Sequence, residues 1–307
     1  MQTILIKLLS MFFPVVLAYF LKRVGFFGPT DYRILAKIAI NITLPCTVVA
    51  SFASLELDTS LLGVTVLAFV LNWLVVLYAW ITSRGIKDPK DRCRDMFCVV
   101  GFNMGNFLIP FAQQFMGSSG VAVTALFDAG NSPMCTGGHY IFTTSVVSVD
   151  GKKTTLGDVI RKLFSSPALI VYILMIIMMV AGISVPGPIA SICELTGNAN
   201  AFVSMFMMGL MFEIRFDASY MQAAALARVR KSLFGAAAAR CFYYLLPFDL
   251  LVRQVLVLIA FAPIPSLASI FTENIKGDVG LCSFITSCSF IISSVIITIL
   301  VFAMQVA

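Results

Sequence analysis

Two stretches of this chain, residues 169–185 and 285–301, contain no charged residue. About 20 apolar residues in a helix span the hydrocarbon core of a bilayer. The whole chain is 60% hydrophobic and 12% charged, whereas soluble domains have about 45–50% apolar and about 25% charged residues. The sequence therefore predicts an all-α integral membrane protein with many helices in the lipid bilayer.

Windows of about 20 apolar residues predict ten transmembrane helices, which we call segments 1 to 10. Of the 21 lysines and arginines, 18 lie at the odd-numbered connections, among them Arg228, Arg230 and Lys231 at the seventh. Because Lys and Arg stay on the cytoplasmic side, both termini are predicted to be extracytoplasmic, with the protein in the cell (plasma) membrane. The predicted segments are residues 3–22, 32–54, 60–83, 95–116, 119–148, 166–184, 189–214, 231–248, 251–271 and 279–305.

Ten helices divide into two sets of five, residues 1–150 and residues 151–307. An odd number of helices in each half forces the second half to enter the membrane in the opposite orientation, so the repeat is predicted to be inverted. Segments 4 and 9 then correspond, and they contain Pro110 and Pro265. Proline removes a backbone donor and clashes with the preceding turn. The pattern predicts that helices 4 and 9 are broken, cross each other and bind a ligand there.

Polar residues lie next to both prolines. Asn103 and Asn106 precede Pro110, while Ser266 and Ser269 follow Pro265. Free N–H groups at the ends of half-helices carry partial positive charge, so this site could hold a carboxylate without a lysine. The alternative is that proline and glycine are simply common in membrane helices and that the asparagines join helices. The matching positions in the two halves favour a site.

Other polar residues leave two interpretations open. Asn41, four residues before Pro45, could line the cavity from a second domain or mark a kink in a scaffold helix. Asp128 and Arg240 lie deepest in predicted helices, where ionisable groups are costly. They could neutralise each other, or Asp128 could bind a proton or cation and Arg240 an anionic substrate. His139 could titrate near neutral pH, although a lone histidine more often makes a helix contact.

The motifs of the common enzymes are absent from the sequence, which contains no HExxH, GxSxG or P-loop. The eight cysteines show no CxxC spacing, so they are interpreted as small buried residues and not as a metal site or a disulfide framework. Residues 227–231, which are basic, are interpreted as topology determinants and not as a nucleic-acid site. The chain is therefore predicted to be no enzyme and to need no cofactor or metal.

Four motifs in this order resemble the auxin efflux carrier family. They are Asn-Ile-Thr-Leu-Pro at residues 41–45, Asn-x-Gly-Asn-x-x-Ile-Pro at 103–110, Phe-Asp-x-x-Asn at 127–131 and Ile-Pro-Ser at 264–266. The resemblance extends over nearly the whole chain. The family includes plant auxin exporters and bacterial carriers of malonate and malate, and its fold is similar to that of bile-acid symporters and sodium/proton antiporters. One departure is Leu108, which replaces a glycine and narrows access to the backbone.

The resemblance implies a scaffold domain of helices 1, 2, 6 and 7 and a moving transport domain of helices 3–5 and 8–10. It also implies that a small organic acid binds at the crossing, with possible Na⁺ or H⁺ coupling, and it allows a homodimer through the scaffold domain. The complete set of predicted substrate-binding residues is Asn41, Pro45, Asn103, Asn106, Pro110, Asn131, Pro265, Ser266 and Ser269. The candidates for coupling or counter-ion roles are Asp128, Arg240 and His139.

The leading hypothesis is an efflux carrier-like secondary transporter that moves a small organic anion by elevator-type alternating access. A sodium-coupled symporter of the bile-acid type is one alternative. A membrane sensor or receptor that uses the same pocket without moving its ligand is another. A membrane-embedded enzyme ranks below both the transporter and the receptor, because the sequence contains no nucleophile or metal cluster that would support it.

Overall fold

A computed structural model describes residues 2–28, 30–54, 59–149, 155–212 and 218–304. All regular secondary structure in these residues is helical. The α-helices are α1 Gln2–Arg23, α2 Tyr32–Ile38, α3 Leu44–Ala53, α4 Leu62–Thr82, α5 Pro89–Val99, α6 Ile109–Phe115, α7 Gly117–Pro133, α8 His139–Val147, α9 Leu156–Phe164, α10 Pro167–Val180, α11 Gly187–Gly197, α12 Asn200–Met211, α13 Ala218–Leu245, α14 Leu250–Ala260, α15 Leu267–Asn274 and α16 Val279–Ala303.

Short π-helical turns join α2 to α3 and α7 to α8, and a third lies directly before α6. Within the described residues, Tyr32–Ala53, Thr59–Thr82 and Val279–Ala303 are long and apolar enough to cross a membrane. Pro89–Val99 and Met104–Phe115 form a fourth candidate, a pair bent by 40° at its break. Such spans, together with the exposed apolar side chains described next, indicate a membrane protein.

Helix α1 exposes large apolar side chains along one face. Leu9, Phe13, Val16 and Phe20 recur at helical spacing there, and each is more than half exposed. Soluble monomers seldom present a continuous apolar surface of this kind. The exposed face of α1 therefore suits contact with lipid.

Segment 7 is divided in the structure, although the sequence predicts one helix over residues 189–214. Helix α11 ends at Gly197, whose carbonyl accepts hydrogen bonds from Thr47 Oγ1 at 2.9 Å and Gln113 Nε2 at 3.2 Å. A Cβ atom at Gly197 would lie 2.8 Å from the backbone nitrogen of Thr47. The end of α11 is thus fixed by a close contact with α3, and the apolar pattern of segment 7 carries no sign of it.

Helix α13 begins at Ala218, well before the predicted start at residue 231. The prediction that Arg228, Arg230 and Lys231 lie in a connection is therefore wrong, because all three are buried within this helix. A hydropathy window treats charged residues as solvated. Here protein groups stabilise the charges instead, which is the condition under which a charge can be buried.

The connection between segments 5 and 6 contains the amphipathic helix α9. Val159 is buried against Gly137, while Leu156, Ile160 and Phe164 are exposed. Apolar residues on one face and charged residues such as Asp158 on the other are typical of helices that lie in the membrane interface.

The helices pack in two groups. In the first group α1 packs on α12, α2 on α12, and α3 on both α10 and α11. In the second group α4 packs on α7, α13 on α14 and α16, and α15 on both α5 and α16. Contacts of α3 with α7 and of α6 with α12 join the groups. The interrupted helices described below lie along this junction.

Gly130 of α7 permits the closest of the contacts with α4. A Cβ atom there would lie 2.1 Å from the carbonyl oxygen of Thr65 and 2.9 Å from the Cβ of Ala68. Small residues allow membrane helices to approach in this way. We expect Gly130→Leu to lower the free energy of unfolding by about 1–3 kcal/mol, because an overpacked contact forces the helices apart.

The effect of Gly130→Leu can be measured by thermal unfolding in detergent. Gly187→Leu in α11 is the matched control, because a Cβ atom at Gly187 meets no other atom within 4 Å. Equal melting temperatures for the two variants would contradict the close contact of α4 and α7.

Candidate binding site between two interrupted helices

Two helical segments are interrupted, one near residue 100 and one near residue 263. Helix α5 ends at Val99 and helical structure resumes at Met104, while α14 ends at Ala260 and α15 begins at Leu267. We call residues 100–103 the first break and residues 261–266 the second break. The two breaks are in direct contact, because the backbone N–H of Asn103 donates to the carbonyl of Pro263 at 3.0 Å.

Gly101 makes this contact possible. Its φ is +84°, a left-handed conformation that residues with a side chain rarely adopt. A Cβ atom at Gly101 would lie 2.9 Å from Cγ of Pro265 and 3.1 Å from Sγ of Cys135. The first break thus needs glycine both for its backbone turn and for the close approach of the second break.

Side chains donate to backbone carbonyls at the end of α5 and within the first break. Lys231 Nζ donates to the carbonyls of Val99 at 3.2 Å and Gly101 at 2.6 Å. Asn131 Nδ2 donates to the carbonyl of Phe102 at 3.2 Å. Non-helical backbone at membrane depth is tolerated only where such partners replace the lost helical bonds.

The second break is satisfied by hydroxyl groups of α16. Ser289 Oγ accepts a hydrogen bond from the backbone N–H of Ile264 at 3.1 Å, and Ser293 Oγ donates to the carbonyl of Phe261 at 2.7 Å. Arg228 Nη1 also donates to Ser289 Oγ, at 3.3 Å. Both breaks are therefore ordered by polar side chains.

Pro110 does not cause the first break, contrary to the prediction from sequence. It is the second residue of α6 and is buried, several residues after the break, and it is not among the residues that line the cavity described next. Helical structure already begins at Met104, and its π-helical turn leads directly into α6, so Pro110 lies inside a continuous helical segment. Local π adjustments of this kind allow a membrane helix to accommodate a proline. Pro265, in contrast, lies within the second break and lines the cavity.

A cavity of about 1000 Å³ adjoins both breaks. This volume accommodates a small organic molecule. Most of the site predicted from sequence is brought together here, although the predicted residues are far apart in the chain. The predicted residues that line the cavity are Asn103, Asn106, Asp128, Asn131, Pro265, Ser266 and Ser269.

Asn103 has the most informative side chain on the cavity wall. It is 4% exposed, and among the described residues its Nδ2 has no hydrogen-bond partner. A buried donor without a partner costs about 1–3 kcal/mol. Because Nδ2 itself is buried, the amide would have to turn toward the cavity to donate to a ligand oxygen, and the new bond would offset this cost.

Asp128 also lies on the cavity wall, where two neutral donors hold its carboxyl group. Its Oδ1 accepts from Asn131 Nδ2 at 2.9 Å, and its Oδ2 accepts from the hydroxyl of Tyr172 at 2.9 Å. The pairing with Arg240, one of the two interpretations left open by the sequence, is not formed, because Arg240 lies on an exposed face of α13. The bond to Tyr172 instead connects α7 with α10.

Three other predicted residues are absent from the cavity lining. Asn41 is exposed, and its Nδ2 donates to the carbonyl of Lys37 at 2.8 Å. Pro45 is buried in the first turn of α3. His139 is buried, with its Nδ1 2.9 Å from the carbonyl oxygen of Met134 and its ring against that of Phe97. The structure thus places His139 in a helix contact.

The sequence analysis missed the charged rim of the cavity. Lys22, Arg33 and Lys37 line it together with Glu273, so that the cavity wall carries three cations and, with Asp128, two carboxylates. Lys22 Nζ donates to the carbonyl of Leu210 at 2.8 Å, at the end of α12. The available signal was the basic first connection, which was interpreted only as a marker of topology.

No protein-family model matches this chain, and no curated protein matches it. The described residues contain no group of three or more His, Cys, Asp or Glu residues that could hold a metal ion.

Proposed function

We propose that this chain is a secondary transporter that moves a small organic anion by alternating access. The carrying observation is the unpartnered Asn103 amide on the wall of a cavity of about 1000 Å³, at the contact of two interrupted helices. Transporters built from inverted repeats bind their substrates between such helices. Helix α15 begins beside Ser266 on the same wall, and the N–H groups of a first helical turn favour a carboxylate.

We propose ten transmembrane segments in two inverted repeats, residues 1–150 and 151–307. Matched neighbours support the repeat. The contact of α1 with α12 joins segments 1 and 7, and its counterpart, α10 with α3, joins segments 6 and 2. Likewise α4 with α7 joins segments 3 and 5, and α13 with α16 joins segments 8 and 10. On this assignment the two breaks are counterparts in segments 4 and 9.

The proposed topology places the cavity on the cytoplasmic side of the membrane. Its lining includes Lys22 and Tyr32 at the first connection, Ser166 at the fifth and Glu273 at the ninth. These odd-numbered connections are the ones predicted to be cytoplasmic. The structure would then be an inward-facing state, and the cations of the rim would attract an anion to the cavity.

The elevator mechanism assigns the two groups of helices to the scaffold domain and the transport domain. The hydrogen bond between Asp128 of α7 and Tyr172 of α10 would cross from one domain to the other. It would have to break when the transport domain moves, which makes Asp128 a candidate for linking motion to a bound proton. Together with the four motifs, these features support membership in the auxin efflux carrier family.

The test is uptake of labelled mono- and dicarboxylates into proteoliposomes. We expect Asn103→Ala to reduce transport of the preferred acid by about 10- to 100-fold, because a hydrogen bond to a charged group contributes about 1.5–3 kcal/mol. Asn41→Ala is the matched control, since Asn41 is exposed and outside the cavity lining. That variant should transport at the wild-type rate.

Each other outcome has a definite meaning. Full transport by Asn103→Ala would contradict the assignment of the substrate site to the crossing of the two interrupted helices. Binding of an acid, seen as thermal stabilisation, without transport would favour the sensor or receptor. Neither binding nor transport of any carboxylate would contradict the proposed substrate class.

A further inference from the structure

A buried lysine lies against the carbonyl groups of the first break. Lys231 is 3% exposed and lies at the middle of the 28-residue helix α13. At 1.5 Å per residue it is about 20 Å from either end of that helix. Its Nζ is 2.6 Å from the carbonyl oxygen of Gly101, 3.2 Å from that of Val99 and 4.9 Å from the ring centre of Phe102.

The charge of Lys231 is not balanced by a carboxylate within the described part of the chain. In the adjacent helix α5, Asp95 forms its ion pair with Arg230 and Asp91 pairs with Arg94. Asp128 is bonded to Asn131 and Tyr172. Backbone carbonyls at the C-terminal end of α5 carry partial negative charge and accept from the ammonium group instead. The face of the Phe102 ring adds a cation–π contact.

Carbonyl oxygens and an aromatic face arranged in this way are suited to binding a cation. In transporters with interrupted helices, unwound carbonyls and the C-terminal ends of half-helices coordinate the coupling Na⁺ or H⁺. Burying an unpaired ammonium group costs several kcal/mol, and ionisable residues inside a membrane usually mark ion pathways. A merely structural bond between α13 and the first break could have been made by a neutral amide or hydroxyl group.

We propose that the ammonium group of Lys231 is a tethered substitute for a coupling sodium ion. It occupies the carbonyl site of the first break permanently, so the carrier runs without Na⁺. Arg228, one helical turn away and also buried, adds a second positive charge beside the breaks and makes entry of a free cation still less favourable. The part of this inference that concerns transport rests on the proposed function, whereas the cation site itself does not.

Lys231→Ala should empty the site and leave its carbonyl groups open to a small cation. In proteoliposomes, we expect wild-type transport to be equal in Na⁺, K⁺ and N-methylglucamine. Transport by Lys231→Ala should fall at least tenfold in N-methylglucamine and recover in Na⁺ or in ethylammonium, which replaces the missing end of the side chain. Lys231→Met fills the space without a charge and should not be rescued by either cation.

A second readout does not depend on transport. Na⁺ should raise the melting temperature of detergent-purified Lys231→Ala by a few degrees relative to K⁺ at equal ionic strength, because a ligand that binds only the folded state stabilises it. Wild type and the control Arg240→Ala, on an exposed face of the same helix, should show no difference between Na⁺ and K⁺. If no carboxylate is transported by any variant, this measurement still tests the site.

The inference is overturned if wild-type transport requires Na⁺, or if folded Lys231→Ala responds to neither Na⁺ nor ethylammonium. Should Lys231→Ala fail to fold, Lys231→Ser offers an entering ion an additional oxygen. Recovery of folded Lys231→Ser in Na⁺ but not in K⁺ supports the site. Equal failure of both variants in the two salts overturns it.

Discussion

Arg230→Met is expected to lower the free energy of unfolding by about 3–5 kcal/mol, because it leaves the Asp95 carboxylate buried without its counter-ion. Both residues are 8% exposed, and they form an ion pair between α13 and α5. Arg230 Nη1 also donates to the carbonyl of Thr82 at 3.4 Å. Denaturation of the purified protein in detergent, followed by circular dichroism, measures the loss.

Arg240→Met is the control for Arg230→Met. It removes the same type of side chain from an exposed face of the same helix, so its effect should remain within about 0.5 kcal/mol. Adding Asp95→Leu to Arg230→Met should recover part of the stability, because the buried charge is then removed as well. Equal losses for Arg230→Met and Arg240→Met would show that the ion pair contributes nothing.

The sequence located the two interrupted segments, and the reason is physical. A proline, glycines and amides in an otherwise apolar stretch leave backbone groups that must find partners, whatever the rest of the fold may be. Asn103 and Ser266 were singled out in this way, Asp128 was singled out as an ionisable residue deep in a predicted helix, and all three line one cavity. The exact position of a break is less predictable, as Pro110 shows, because a π-helical turn can accommodate a proline without breaking the helix.

What the sequence could not supply is which polar groups meet across the fold. Arg230 and Lys231 look like a cytoplasmic loop until Asp95 and the carbonyl of Gly101, more than a hundred residues away in the chain, are seen beside them. Arg240, only a few turns further along α13, faces outward. The direction in which each residue faces is decided by packing of α13 on α5, and that packing is a long-range property.

Gly101→Ala is expected to reduce the stability of the protein and its transport together, because it affects the contact between the two breaks. Alanine at a left-handed φ costs about 1–2 kcal/mol, and the added methyl group would meet Pro265 at 2.9 Å. Overpacking of that kind costs about 1–3 kcal/mol more. The strain can be relieved by moving the second break away, which would displace Ser266 from the cavity wall.

Gly25→Ala separates the two costs. Gly25 has a φ of +80°, close to that of Gly101, but a Cβ atom there meets nothing within 4 Å. The Gly25→Ala variant should therefore lose only the stability that the left-handed φ costs an alanine, and it should transport at the wild-type rate. If the melting temperature of Gly101→Ala falls no further than that of Gly25→Ala, the breaks are not tightly packed. If the melting temperature of Gly101→Ala falls further while carboxylate transport is unchanged, their contact serves the fold but not the site. Only the combined loss, with transport reduced at least tenfold, supports the crossing of the two interrupted helices as the place where substrate is held.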